Sequence, residues 1–436
     1  MAATINASLT LPSGLTVNNR LIKAAMTECL AGPDNTSNIK HATLYRRWAE
    51  GGVGAQITGN IQVDRRHLED PRNIVCDASS SNAAISCLAD MAQAGQASGC
   101  RMIAQLSHAG RQTPKVVNSR PQAPSAVSVK LPGGQFAQPR AMTDAEIHET
   151  IAAFGNATRV MQATGFDGVQ IHAAHGYLIS QFLSPLANRR EDHWGGSLEA
   201  RSRLLIEIVR AAKREAKGTF AIGVKLNSSD FQKGGYSFDD CLQVVDLLNA
   251  EGLDFLEVSG GNYEQPRMAG MDGLEGGAQD NVRESTRARE AYFSVYAKLV
   301  KGRARMPVMV TGGFRTKAAM DGVLEDGEAD FIGLGRPLCS NPDAPRQLLS
   351  NEAQSIDAIE QSLRLGPSRW LGPNSPIGLI QAINGFGMMG WYAAQIERLA
   401  DGKEPDTSIG VFSAFLASQS NRAKAGKAYL RTLSRS

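Results

Sequence analysis

Titratable side chains gather at the end of one apolar run, the segment Val169–Tyr177 with the sequence V-Q-I-H-A-A-H-G-Y. A β-strand delivers its last side chains to the mouth of its sheet or barrel, so we expect His172, His175 and Tyr177 to project into a pocket. Paired histidines could bind zinc, but no third ligand is identifiable nearby in the sequence. The pattern therefore argues against a metal site. Recognition of a polar substrate, with tyrosine as proton donor, suits the pattern better. The alternative is a histidine that only satisfies hydrogen bonds in the core.

Two later strand-like runs end in glycine, at Val310–Phe314 (V-T-G-G-F) and at Ile332–Arg336 (I-G-L-G-R). Glycine lets the backbone approach an anion closely enough for its N–H groups to donate, and Arg336 can add a charge-assisted bond. Turns also use glycine without any ligand. Because the two runs would be strands seven and eight of a barrel, where phosphate is often held, we predict a phosphorylated ligand there.

The elements that must position these residues are β-rich runs and helical segments, which alternate regularly along the chain. Helix starts are indicated by Thr143-Asp-Ala-Glu146 and Ser237-Phe-Asp-Asp240, which place an acidic residue three positions after a capping hydroxyl. Long insertions follow strands, as the functional loops of such barrels do, at 108–142, 173–196 and 259–285. The predicted fold is therefore α/β, a (β/α)8 TIM barrel with a C-terminal helical extension. The β-rich runs lie near 20–25, 53–58, 101–106, 168–172, 221–226, 253–258, 306–311 and 330–334.

We expect two domains, a barrel over residues 1–345 and a mostly helical extension over 346–436. The uncharged segment Leu371–Ile396 is long enough to span a membrane. Its glycines and amides favour instead a helix packed on the barrel or on another subunit, with Ser375-Pro376 as its start. The segment that follows, through Arg431, is predicted to be helical with a solvated basic face. This region has no C-x-x-C cluster and no G-x-G-x-x-G motif, which disfavours an iron–sulfur cluster or a dinucleotide-binding domain.

Composition narrows the class of protein. The chain has 436 residues and 42% hydrophobic residues, enough for a large core, and its net charge of +3 carries no nucleic-acid signature. Six cysteines without paired spacing favour reduced thiols and a cytoplasmic location. Residues 1–19 show no targeting signal.

A series of motifs occurs along the chain in this order: Asn19-Arg20-Leu21, Ala25-Met26-Thr27, Gln105-Leu-Ser-His-Ala-Gly-Arg111, His172-Ala-Ala-His-Gly-Tyr177, Phe182-Leu-Ser-Pro-Leu-Ala-Asn188-Arg189, Trp194-Gly-Gly-Ser197, Arg201, Val258-Ser259-Gly260, Thr311-Gly-Gly313 and Gly335-Arg336-Pro337. By these motifs, from about Leu9 to Pro337, the chain resembles the Old Yellow Enzyme family of FMN-dependent NADH:flavin oxidoreductases and ene-reductases, in which they are expected in the same order.

This resemblance implies FMN bound across the mouth of the barrel. Thr27 stands where one branch of the family has cysteine, and Lys225 stands where arginine is common, although the two basic side chains differ in geometry. These departures bear on substrate preference more than on flavin binding. The implied phosphate contacts are Ser259, Gly312, Gly313, Gly335 and Arg336, and the implied ring contacts are Ala25, Met26, Thr27, Gly59, Gln105, His172 and Lys225.

The activity implied by the resemblance is ene reduction. NADH or NADPH would reduce FMN, and the β-carbon of an α,β-unsaturated carbonyl or nitro compound would then take the hydride. His172 and His175 would grip the activating oxygen while Tyr177 protonates the α-carbon. A tyrosine with an ordinary pKa of about 10 is protonated at neutral pH and can serve as an acid.

Three alternatives stay open. The same fold could serve an FMN-dependent dehydrogenase or demethylase, or an NAD(P)H oxidase. Lys225 could form a Schiff base in a barrel lyase or aldolase. The protein could also bind flavin without turnover. The expected partners are an activated alkene and a nicotinamide nucleotide, with no nucleic acid and no membrane span, and a homo-oligomer stays open as well.

Overall fold

Eight parallel strands close into a barrel within the part of the chain that the computed structural model describes, residues 3–131, 134–259 and 294–433. The ring closes because the first strand pairs with both the second and the last. Ile22 lies opposite Ala55 on one side and Gly333 on the other. The predicted TIM barrel is confirmed. The barrel strands are β1 (Leu21–Lys23), β2 (Ala55–Gln62), β3 (Arg101–Ser107), β4 (Gly168–Ala173), β5 (Ala221–Asn227), β6 (Phe255–Ser259), β7 (Val308–Thr311) and β8 (Phe331–Leu334).

Helices follow the strands as predicted. Both predicted capping boxes are present, because the hydroxyls of Thr143 and Ser237 accept from the backbone N–H groups of Glu146 and Asp240. The helices are α1 (Ile39–Glu50), α2 (Asn82–Gly95), α3 (Asp144–Ala163), α4 (Leu178–Leu183), α5 (Leu198–Glu215), α6 (Phe238–Asn249), α7 (Ser294–Lys301), α8 (Lys317–Glu325), α9 (Pro337–Ser340), α10 (Ala344–Leu349), α11 (Gly378–Ala400) and α12 (Val411–Leu433); 3₁₀ turns cover Ala97–Gly99, Gly110–Gln112 and Ile359–Gln361.

An N-terminal hairpin seals one end of the barrel. Its buried Leu11 and Leu15 belong to one apolar cluster with inward-facing barrel residues such as Ile57 and Phe331. Because this end is closed by apolar packing, the opposite mouth, at the carboxyl ends of the strands, is the end available for a site. The short strands outside the barrel are Leu9–Thr10, Thr16–Val17, Ile74–Val75, Gln122–Ala123 and Arg140–Ala141.

Helices α11 and α12 form the C-terminal extension and pack closely on each other. A Cβ atom on Gly387 or Gly390 would lie 2.7 Å from the carbonyl oxygen of Val411 or Ala414, so only glycine permits this approach. Helix α11 also contacts α1 and α9, and it therefore packs on the barrel as predicted. Helix α12 exposes the predicted basic face, formed by Arg422, Lys424, Lys427 and Arg431.

The predicted start of α11 is wrong by two residues. Ser375 Oγ accepts from the N–H of Ile377 at 3.2 Å, so Ser375-Pro376 forms a turn and the helix begins at Gly378.

The predicted boundary at residue 345 falls inside α10, and the division into two domains stays a prediction. Across the described ranges, no helix combines the length and hydropathy required to cross a membrane.

Candidate active site

The turn after β4 presents the three residues singled out from the sequence. His172 lies in β4, Tyr177 is the N-cap of α4, and His175 lies in the turn between them. His175 has a φ of 61°, in the left-handed region that a non-glycine residue rarely adopts, and Gly176 follows with a φ of 76°. The N–H of His175 donates to Asn227 Oδ1 at 3.2 Å, which helps to hold this conformation. The sharp turn brings the two histidine rings together at the mouth.

The two histidines form one chain of hydrogen bonds. His172 Nδ1 lies 2.8 Å from Asn60 Oδ1, His172 Nε2 lies 3.1 Å from His175 Nδ1, and His175 Nε2 lies 2.6 Å from Ser259 Oγ. Asn60 Nδ2 donates to Glu69, so Asn60 Oδ1 must accept, and His172 carries its proton on Nδ1. His175 then donates from Nδ1 to His172, and Ser259 donates to His175.

Both histidines are neutral because burial lowers each pKa well below its usual value, and the nearby Lys225 ammonium lowers them further. Their four ring nitrogens are all engaged within the protein. The hydrogen bond between the two rings must therefore open before His175 can donate to a substrate oxygen. The predicted binding of that oxygen by the histidines thus requires these hydrogen bonds to rearrange.

Tyr177 is only 4% exposed and packs its ring edge-on against His172, with centroids 4.7 Å apart. Its hydroxyl donates to Glu69 Oε2. The other oxygen of Glu69 accepts from Thr27 Oγ1 at 2.5 Å, Asn60 Nδ2 at 2.7 Å and Asn73 Nδ2 at 3.3 Å. Burial raises the pKa of Glu69. Glu69 thus joins the predicted proton donor to the predicted flavin contact Thr27, and the sequence reasoning missed it.

A second polar network crosses the interior of the barrel. Lys225 Nζ lies 2.9 Å from Glu257 Oε1, and Gln170 Nε2 donates to Glu257 Oε2 at 2.8 Å. Gln105 Nε2 in turn donates to Gln170 Oε1 at 2.7 Å, and Thr311 Oγ1 donates to Glu257 at 2.8 Å. The predicted contacts Gln105 and Lys225 therefore belong to one network, through two residues that the sequence reasoning did not select. A Schiff base at Lys225 is disfavoured because it needs a neutral amine, and the partner here is a fully buried carboxylate.

The predicted ring contacts Met26 and Gly59 lie beside another buried carboxylate. Glu28 Oε1 accepts from the hydroxyl of Tyr45 and, at 2.9 Å, from the N–H of Gly59. A Cβ atom at position 59 would lie 2.2 Å from Glu28 Oε2 and 2.5 Å from the carbonyl oxygen of Met26, so this position requires glycine. Burial raises the pKa of Glu28. Ala25 precedes Met26 in the half-buried segment that leaves β1.

The predicted phosphate contacts fall at the ends of two neighbouring strands. Gly312 and Gly313 follow β7 with φ values of 132° and 78°, which only glycine adopts readily. Gly335 and Arg336 follow β8 and are half-buried. Backbone amides of this kind, next to a guanidinium, suit an anion such as phosphate. The hydroxyl of Ser259, the remaining predicted phosphate contact, bonds His175, and its role at the phosphate stays a prediction. Gly260 and the rest of the predicted loop up to 285 lie outside the described residues.

Asp64 and His67, which follow β2, and His108, which follows β3, place three ligand-type atoms within 4.8 Å of one another. Backbone N–H groups donate to His67 Nε2 at 3.0 Å and to His108 Nδ1 at 3.1 Å. The protons of the neutral rings must then sit on the nitrogens that face Asp64, where a metal would need lone pairs. This cluster is therefore better explained as a structural hydrogen-bond network than as a metal site.

A closed barrel with polar donors and a candidate anion site at the carboxyl ends of its strands has the architecture of a TIM-barrel enzyme. The chain matches the NADH:flavin oxidoreductase / NADH oxidase family over residues 9–354, and it belongs to that family. The NADH-dependent flavin oxidoreductase iliE of Hypocrea jecorina is 34% identical over 388 residues, which cover 85% of this chain and 95% of that protein.

Solved structures share the barrel. An Old Yellow Enzyme homologue from Zymomonas mobilis has a TM-score of 0.67 at 25% identity, over 82% of this chain and 95% of that one. Morphinone reductase in complex with tetrahydroNAD has a TM-score of 0.65 at 22% identity, over 81% and 93% of the two chains, a likeness of fold alone. The predicted family, the oxidoreductase class, the flavin cofactor and the nicotinamide reductant are confirmed.

Proposed function

We propose that this enzyme uses FMN to transfer hydride from NADH or NADPH to the activated C=C bond of an α,β-unsaturated carbonyl or nitro compound. The observation that carries the proposal is the position of Tyr177 at the mouth, with its ring against a neutral histidine and its hydroxyl hydrogen-bonded. A protonated phenol and neutral imidazoles suit a reaction that must protonate one carbon and stabilise negative charge on an oxygen.

The residues at the mouth fit FMN. The left-handed glycines after β7, together with Gly335 and Arg336, would hold the phosphate. Gln105 offers both a donor and an acceptor to the polar edge of the ring, and Lys225 offers positive charge close to it. Ala25, Met26, Thr27, Gly59 and His172 are the further proposed contacts. Bound FMN supplies the two-electron chemistry that carries hydride from the nicotinamide to the substrate.

The chain's own groups would handle the substrate and the proton. His175 donates to the activating oxygen once its bond to His172 opens, and His172 stays oriented by its bond to Asn60. Tyr177 delivers its hydroxyl proton to the α-carbon. Buried surroundings strengthen these interactions, because donors in a site that excludes water act in a low local dielectric.

An anaerobic spectrum tests the proposal. The purified protein, reconstituted with FMN, is reduced with NADH or NADPH and mixed with cyclohexenone. Bleaching of the flavin band followed by rapid recovery with the enone is the expected result. Recovery with oxygen or a quinone but not with any enone would support the NAD(P)H oxidase instead. Absence of a flavin band, with borohydride trapping at Lys225, would favour the lyase.

A cytoplasmic location and a homo-oligomer belong to the same proposal. All six cysteines lie in the described residues and are free thiols, as suits a reducing compartment. Helices α11 and α12 expose large apolar side chains, including Leu379 and Phe412, which a second subunit could cover. Light scattering of the full chain measures its oligomeric state, and a monomer at all concentrations would contradict the second part.

A further inference from the structure

We propose that Glu69 is the proton-relay partner of Tyr177, returning a proton to the tyrosine oxygen as Tyr177 protonates the substrate. This inference rests on the proposed function and adds a residue to it. The observation behind it is a direct hydrogen bond, in which the Tyr177 hydroxyl donates to Glu69 Oε2. The two residues are 108 positions apart in the sequence.

The direction of this hydrogen bond has a chemical consequence. As long as Glu69 is ionised, the hydroxyl proton of Tyr177 points at the carboxylate and not at a substrate. When Glu69 is protonated, its own O–H can donate to the tyrosine oxygen. The proton of Tyr177 is then free to point into the mouth, beside His172. The protonated acid therefore both aims the donor and replaces the proton that it gives away.

The surroundings favour a protonated Glu69. Its Oε1 is held by Thr27, Asn60 and Asn73, so the carboxyl group has a fixed orientation toward Tyr177. Burial raises the pKa of Glu69 and outweighs the three hydrogen bonds to Oε1, which lower it. The negative charge of the adjacent Asp70 raises the pKa further. Among the described residues, the titratable and charged groups near it include Tyr177, Cys29, Asp70 with its partner Arg72, Arg422 of α12 beside Asp70, and His172 beyond Asn60.

The atoms balance in this step. The C=C π bond breaks as the β-carbon takes the hydride that NADH supplies through the flavin, and NADH is oxidised to NAD⁺. The α-carbon takes the proton of Tyr177, the tyrosine oxygen takes the proton of Glu69, and a proton from the bulk solvent restores Glu69. Each turnover therefore consumes one NADH and one solvent proton, and the substrate gains two electrons and two hydrogens.

The test separates the two half-reactions in wild type, E69Q, Y177F and the double variant. Each FMN-loaded protein is reduced anaerobically with NADH and then reoxidised by cyclohexenone or by ferricyanide, which takes electrons without protonating carbon. We expect E69Q to slow the enone reaction by about tenfold or more while ferricyanide reacts as with wild type. The double variant should be no slower than Y177F, because residues that act as a unit are not additive.

The pH profile and two further variants separate a relay from structural support. The wild-type enone rate should fall as pH rises through the pKa of Glu69, and E69Q should lack that decline. E69D keeps a carboxyl group and should recover part of the rate and the decline. E251Q removes a carboxylate that pairs with Arg210 before β6, at the end of the barrel opposite the mouth, and should react with the enone like wild type.

Two results would overturn the relay specifically. One is an E69Q protein that binds FMN and reacts with the enone at the wild-type rate. The other is an E69Q effect that adds fully to that of Y177F. A wild-type protein that ferricyanide reoxidises and enones do not would overturn the proposed function, and the relay with it.

Discussion

Two tyrosine–glutamate pairs in this protein have the same chemistry and different surroundings. In each, a tyrosine hydroxyl donates to a carboxylate whose pKa is raised by burial, Tyr45 to Glu28 and Tyr177 to Glu69. Tyr45 is fully buried in α1 against Trp48, while Tyr177 lies at the barrel mouth against His172. We therefore expect the sealed pair to be structural and the pair at the mouth to take part in proton transfer.

The sealed pair is also tied to the backbone of the mouth. Glu28 accepts from the N–H of Gly59, and the nearby Lys23 ammonium offsets part of its charge. Lys23 is itself buried, so its pKa falls to about 8, and it packs 4.6 Å from the centre of the Trp48 ring. These contacts hold Gly59 within β2, whereas Glu69 contacts Thr27 and Tyr177.

The largest contrast is expected between Tyr177→Phe and Tyr45→Phe, which remove the same hydroxyl from the two pairs. Y177F should slow flavin reoxidation by cyclohexenone by about a hundredfold or more, because the donor to carbon is lost. Y45F should leave that rate near wild type and lower the free energy of unfolding by about 1–3 kcal/mol, because a buried carboxylate loses a donor. Stopped-flow absorbance and denaturant titration measure the two effects. Equal loss of enone rate in both variants would contradict the distinction.

A smaller effect is expected from Gly59→Ala, which tests whether Glu28 supports the mouth. The new Cβ would lie 2.2 Å from Glu28 Oε2 and 2.5 Å from the backbone oxygen of Met26, so the structure must shift. We expect a loss of about 1–3 kcal/mol in unfolding free energy and weaker FMN binding, measured by flavin fluorescence. Gly322→Ala is the matched control, since nothing lies within 4 Å of its added Cβ in α8. Unchanged stability in G59A would show that the Glu28 contact is not tight.

The smallest effect is the pH dependence of stability from Glu28. Its folded pKa is raised above the ordinary 4.5, so the native state holds the proton more tightly than the unfolded state. Its contribution to stability is therefore full below pH 4.5 and is lost as pH rises through the folded pKa. Each tenfold difference in proton affinity between the two states corresponds to about 1.4 kcal/mol. As pH rises from 4.5 through the folded pKa of Glu28, the unfolding free energy of wild type should fall relative to that of E28Q. A difference that is constant with pH would contradict this.

Local patterns predicted much of the architecture. All eight barrel strands occur where β-rich runs were found, and helices α3 and α6 begin at their predicted caps. The start of α11 was misplaced because Ser375 serves a turn, a choice that depends on its bond to Ile377. Glu69 and Glu257 were missed because nothing in their own segments distinguishes them from ordinary charged residues.

The sequence by itself determined the barrel, the mouth and the residue types that reach it, because strand periodicity, helix caps and glycine turns act over a few residues. Only the tertiary structure decided which polar groups form hydrogen bonds or ion pairs with each other. The partners of Tyr177 and Lys225 are Glu69, after β2, and Glu257, in β6. Such pairings depend on how the strands align around the closed barrel and on which side chains burial then forces to share protons and charge.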